Sequence, residues 1–115
     1  MISEDTQEKI VSYTKQVLAY GLKVRPERPD LPRDPFFMEK RGVFVTLNQN
    51  KKLRGCIGYT EPLYPLKDGL KLACLKAALE DPRFPPLQKE DLDTVEIEIS
   101  ILGEPQLLSL WPLGF

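Results

Sequence analysis

The chain has 115 residues, 42% hydrophobic and 29% charged, the profile of one folded domain rather than a disordered segment. Its 16 basic and 17 acidic side chains leave a net charge of −1, which supplies no global field to hold nucleic acid or anionic lipid. Histidine is absent, which removes Ser-His-Asp and Cys-His catalytic pairs, His-ligated zinc and the ordinary imidazole base.

The two cysteines, Cys56 and Cys74, fall on different predicted elements, so a closed four-ligand zinc site is excluded and no metal or cofactor is expected. Two reduced cysteines in a chain without a signal-peptide pattern fit a cytoplasmic protein. No apolar run approaches the ~18 residues of a membrane span.

Along the chain, Ser3, Glu4 and Asp5 offer a cap and negative charge for a helix start. Ile10, Val11, Tyr13, Thr14, Val17 and Leu18 then keep helical spacing, which predicts a helix from Glu4 to Tyr20 closed by Gly21, within an amino-terminal segment 1–22. A proline-rich connection follows over 23–40. Its run VRPERPDLPRDP is expected to be extended and solvated, because proline disfavours helix in the residue before it.

The part from 41 to 105 carries the core sheet, a second helix and the distinctive motifs. Val43, Val45 and Leu47 alternate with Phe44 and Thr46, and an extended pattern resumes at Leu53, which predicts a hairpin from Gly42 to Tyr59. Leu53, Ile57 and Tyr59 are expected on one face, and Arg54, Cys56 and Gly58 on the other. Pro62 and Pro65 precede a helix from Leu66 to Glu80, which Asp81-Pro82 ends. Val95, Ile97, Ile99 and Ile101 alternate with Glu96, Glu98 and Ser100, a half-exposed strand whose carboxylates face water or a ligand. The class is α+β, an antiparallel sheet flanked by helices. The last segment, 106–115, is an uncharged apolar tail that packs back, buries in a partner or is the edge of something longer.

Chemistry concentrates in Leu53-Arg54-Gly55-Cys56-Ile57-Gly58. Two glycines inside a strand cost packing and entropy, and point to a bulge or to close approach by another backbone or a ligand. In an unbroken strand Arg54 and Cys56 share a face, roughly 7 Å apart at Cα. A cation there lowers the thiol pKa below its free value of ~8.5. Cys56 and Arg54 are therefore the candidate catalytic pair, with Leu53, Gly55, Ile57, Gly58 and Arg83 as candidate ligand-binding residues. The structural alternative stands beside this, since free cysteine is among the most buried residue types. Cys74, among Leu70, Leu75 and Ala77, reads as a core thiol. In Asp81-Pro82-Arg83-Phe84-Pro85-Pro86-Leu87 the prolines hold Arg83 and Phe84 in place. Phe84 is expected to anchor in the core, and Arg83 to pair with an acid such as Asp81 or Glu96, or to face an anion.

Gly42 to Leu47 followed by Leu53 to Gly58 resembles the signature of the AMMECR domain family, named after a chromosomal region linked to Alport syndrome, midface hypoplasia and elliptocytosis. The segment from Asp81 to Leu87 and the strand from Val95 to Leu102, ending near Glu104-Pro105, match the family's next blocks in order. The resemblance covers Arg41 to Pro105, and the amino-terminal helix also fits. It implies an α+β fold with a larger and a smaller lobe and the Arg-Gly-Cys block near the cleft between them. Some bacterial and archaeal relatives accompany a Memo-like protein and a radical SAM protein. Family members run on well beyond Pro105, and the tail here does not resemble that continuation. A carboxy-terminally shortened member is expected to expose a sheet edge and to self-associate through the apolar tail.

The resemblance fixes no reaction. One reading gives Cys56 a role in a nucleic-acid or protein modification pathway, with Glu96, Glu98, a lysine or a partner protein as the base. The alternative is a non-catalytic binding or adaptor module for a Memo-like or radical SAM partner, or for RNA.

Overall fold

The computed structural model describes residues 2–103 together with the backbone of Leu107–Leu110. Helix α1 (Glu4–Gly21) starts where the Ser3 side chain accepts the Thr6 N–H at 3.1 Å, with Glu4 and Asp5 in the first turn. Ile10, Tyr13, Thr14, Val17 and Leu18 form its buried stripe. Gly21 is helical rather than terminating: a Cβ there would collide with the Leu75 side chain of the second helix. The chain turns instead at Lys23, which adopts a left-handed φ of 61°.

The proline-rich connection is not simply solvated, because α1 holds it. The Asp30 N–H donates to the Gln16 side chain at 2.8 Å, and the Thr6 hydroxyl donates to Asp34 at 2.6 Å. Asp34 also caps a short 3₁₀ turn, Pro35–Met38, whose Phe37 is fully buried and meets Tyr13 edge to face. Fixing this segment with side chains from α1 gives it a defined path that its composition alone does not reveal.

Strands β1 (Val43–Gln49) and β2 (Lys52–Tyr59) form the expected hairpin. Asn50 and Lys51 both take positive φ, 54° and 62°, as a two-residue turn of mirror-image type requires. Helix α2 (Leu66–Leu79) lies across one face of the hairpin and against α1. Strand β3 (Val95–Ile101) pairs antiparallel with the other side of β1, and the backbone of β4 (Leu107–Leu110) pairs antiparallel with β3. The order β2-β1-β3-β4 places β2 at an edge.

The architecture is α+β, with both helices on one side of an antiparallel sheet. The helix side of the sheet carries Val43, Val45, Leu47, Val95, Ile97, Ile99 and Ile101, all buried, and each such side chain contributes roughly 1.5–3 kcal/mol by leaving water. Part of the apolar tail thus continues the sheet as β4; Glu104, Pro105 and the rest of the tail lie outside the described residues. Among the described residues no helix is long and apolar enough to cross a membrane.

Candidate functional site: the Cys56 face of the sheet

Strand alternation sends Cys56 to the side of the sheet opposite its neighbours Gly55 and Ile57. Gly55 faces α2, where a Cβ would collide with the carbonyl oxygen of Ala77, so this glycine exists to let the helix backbone rest on the strand. Ile57 also faces α2 and packs on the core. Neither of these two candidate ligand-binding residues opens onto the Cys56 face. Gly58 does, and the Phe44 ring occupies the space above it.

Arg54 is the point at which the expected geometry gives way. Leu47 pairs with Gly55 but Asn48 pairs with Leu53, so Arg54 is the extra residue of a β-bulge. Its guanidinium donates to the Pro85 carbonyl at 2.7 Å and lies 3.9 Å from Asp91. It is thereby spent on the loop after α2 rather than set beside the Cys56 sulfur as an unbroken strand would require. The bulge moves Leu53 as well. Instead of sharing a face with Ile57, Leu53 pairs with Asn48 on the Cys56 side and is 41% exposed.

On the helix-free face the register sets Cys56 of β2, Thr46 of β1 and Glu98 of β3 in one cross-strand row. The Thr46 hydroxyl and the Cys56 sulfur are 3.3 Å apart and hydrogen-bonded. Cys56 and Glu98 are two strands apart, about 10 Å at Cα, with Thr46 on the strand between them. A neighbouring row holds Leu53, Asn48 and Glu96. Cys56 is half-buried and unpaired in any disulfide. Cys74, by contrast, is wholly enclosed, and burial pushes its thiol up to about 12.

The exposed edge of β2 is closed by side chains. The Cys56 N–H donates to Asp81 Oδ2 at 3.1 Å, and Arg83 Nη2 donates to the Cys56 carbonyl at 3.5 Å. Two Arg83 nitrogens, Nε and Nη2, also grip the Asp81 carboxylate at 3.0 and 2.8 Å. The pair stands in for the backbone of an adjacent strand. Arg83 holds the Asp81 carboxyl far below the usual carboxylate range, and the N–H groups of Arg83 and Cys56 reinforce this against the opposing effect of burial. Asp81 is therefore an anion anchored in place and a weaker base than an ordinary carboxylate. Phe84 is half-buried beneath the Arg83 guanidinium, 5.4 Å from ring centre to Cζ, and the fully seated apolar residue of this segment is Leu87.

The sequence singles out neither Thr46 nor Asp81 as a site residue. Counting outward from the Asn50-Lys51 turn without a bulge pairs Thr46 with Gly55; only the extra residue brings it opposite Cys56. Asp81 carried a signal, since an acid two residues before an arginine in a proline-bound segment can close on it. Among the described residues no group of three or more metal-ligating side chains converges.

The model of the AMMECR1 family matches residues 11–113. A Thermoplasma acidophilum protein, Ta0236, is 41% identical over 113 residues, covering 96% of this chain and 54% of its own length. A protein of Methanothermobacter thermautotrophicus is 46% identical over 90 residues, covering 78% of this chain and 44% of its own. The crystal structure of the uncharacterised protein PH0010 from Pyrococcus horikoshii superimposes with a TM-score of 0.76 at 36% identity, over 87% of this chain and 52% of that one. The chain thus spans about half the length of the curated relatives it matches. With sequence and backbone in agreement over nearly its whole length, the chain belongs to the AMMECR1 family.

Proposed function

We propose that the helix-free face of the sheet carries cysteine-dependent chemistry in a protein or nucleic-acid modification pathway, with Cys56 as nucleophile. The observation that carries this reading is the Cys56–Thr46–Glu98 row, in which a half-exposed thiol is hydrogen-bonded to a hydroxyl whose neighbour on the next strand is a carboxylate residue. Thr46 takes the thiol proton and passes its own to Glu98. The sulfur lone pair forms a bond to an electrophilic carbon of the substrate, and the leaving group departs with its bonding electrons and the proton from Glu98. Arg54 takes no part in this step; it is the extra residue of the bulge that sets Thr46 opposite Cys56.

The test is iodoacetamide alkylation of native protein across pH, located by mass spectrometry, with Glu98→Gln and Thr46→Val as variants. A nucleophile in this row alkylates quickly in native protein and more slowly in both variants. Protection of Cys56 until denaturation would overturn the reading.

A second reading, a non-catalytic adaptor, is favoured by the packing of Gly55 and Ile57 against α2, which makes part of the signature a structural seam. Purified Memo-like or radical SAM partners, or RNA, would then bind with equal affinity to wild type and Cys56→Ala.

A further inference from the structure

The side of the molecule away from Cys56 carries a cavity that the sheet chemistry does not use. It has a volume of about 450 Å³ and lies between α1, α2 and the proline-rich segment. That volume is within the usual range for small-molecule sites, ~300–1,000 Å³. Val17 and the Tyr13 ring line it from α1, Leu75 from α2, and Pro29 and Leu31 from the opposite bank. Tyr20 and Leu31 remain exposed at its mouth although both are large and apolar.

The bank is built in advance. Arg25 Nε donates to the Glu27 carbonyl at 3.1 Å, and Arg25 Nη2 reaches the Arg28 carbonyl at 3.5 Å and Asp30 at 3.4 Å. Gln16 fixes Asp30 from α1. These contacts hold the backbone of residues 25–30 in one path while leaving the Arg28 guanidinium free of them. Tyr13 spends its hydroxyl on the Lys67 carbonyl at 3.1 Å, so the ring presents apolar surface inside the cavity.

The charges on the two banks are unequal. Lys67 is matched by Asp68 at 3.3 Å. Arg28 on the proline-rich bank and Lys71 on α2 form no ion pair among the described residues, and both are exposed and line the cavity. The cavity therefore combines an apolar floor with two unmatched cations on facing walls.

We propose that this cavity binds a small organic anion with an apolar or aromatic body, its phosphate or carboxylate held between Arg28 and Lys71 and its body on Tyr13, Val17 and Leu31. Preorganisation of the bank keeps the ordering cost of binding low. The site is independent of Cys56, which lies across the sheet.

Titration of the ¹⁵N-labelled chain with 2-naphthyl phosphate tests this. Saturable amide shifts are expected around Val17–Tyr20, Pro29-flanking residues and Lys67–Lys71, with neutral 2-naphthol and inorganic phosphate each binding on the order of tenfold more weakly. Arg28→Gln and Lys71→Gln, both at exposed positions, should each weaken binding while the Val45 and Ile97 amides keep their positions. The charge-preserving Lys71→Arg should retain it. Equal binding of 2-naphthol, undiminished binding to both Gln variants, or shifts confined to other surfaces would each overturn the proposal.

Discussion

Asp81 and Cys56 are joined through the backbone: the Asp81 carboxylate accepts the Cys56 N–H at 3.1 Å across 25 residues of chain. Arg83 completes the link by holding that carboxylate and approaching the Cys56 carbonyl. The edge of β2 is thus sealed at Cys56 itself. Asp81→Ala removes the acceptor, so the Cys56 amide should exchange with solvent on the order of tenfold faster, with smaller changes at Val45 and Ile97. Equal exchange in the variant would show that the Asp81 contact does not protect the edge.

The same carboxylate sets an acid-stability profile. Its folded pKa is depressed, so its contribution is fully present above the unfolded value of ~3.9 and is lost as pH falls below that toward the folded value. Asp34 and Asp91 are lowered too, chiefly by the Thr6 hydroxyl and the Gln49 amide respectively, and add to the same window. Urea midpoints should fall steeply below about pH 4 in wild type and less steeply in Asp81→Asn. Parallel slopes in the two proteins would contradict the assignment.

Gly55→Ala is expected to destabilise the fold by about 1–3 kcal/mol, because the new methyl group meets the Ala77 carbonyl of α2 and the helix must lift from the strand. Chemical denaturation reads this directly. A neutral substitution would mean that α2 sits farther from β2 than the structure has it.

Arg54→Ala separates a structural from an electrostatic role. Loss of the Pro85 hydrogen bond should lower stability by about 1 kcal/mol, while the rate of Cys56 alkylation stays within roughly twofold of wild type because the guanidinium points to Pro85 and Asp91. A large fall in alkylation with unchanged stability would restore the electrostatic pairing of Arg54 with the thiol.

Near the free-thiol pKa of ~8.5, iodoacetamide should label Cys56 in the native protein and Cys74 only after denaturation, since burial pushes the Cys74 thiol up to about 12. Labelling of Cys74 in native protein at the Cys56 rate would show that α2 opens readily from α1.

The helices, the hairpin and the alternating strand from Val95 were legible in the sequence because each depends on local periodicity, and periodicity survives translation into structure wherever one face is buried. The family was legible for the same reason: its motifs sit on those elements. The placing of Cys56 and Gly58 opposite Ile57 and Tyr59 was legible too, but the partners of Cys56 and the positions of Leu53 and Arg54 were not, because they depend on one inserted residue. Without a bulge, the Asn50-Lys51 turn pairs Cys56 with Val45 on the buried face; with Arg54 as the extra residue, Cys56 pairs with Thr46 on the open one. Nothing local to Arg54 announces this, since what fixes it in place is the Pro85 carbonyl, 31 residues away. The sequence by itself determined the two helices, the hairpin and the strand from Val95, and singled out the candidate site residues. Only the tertiary structure decided which residues stand opposite them, because register between strands is set by contacts that the chain makes after it has folded back on itself.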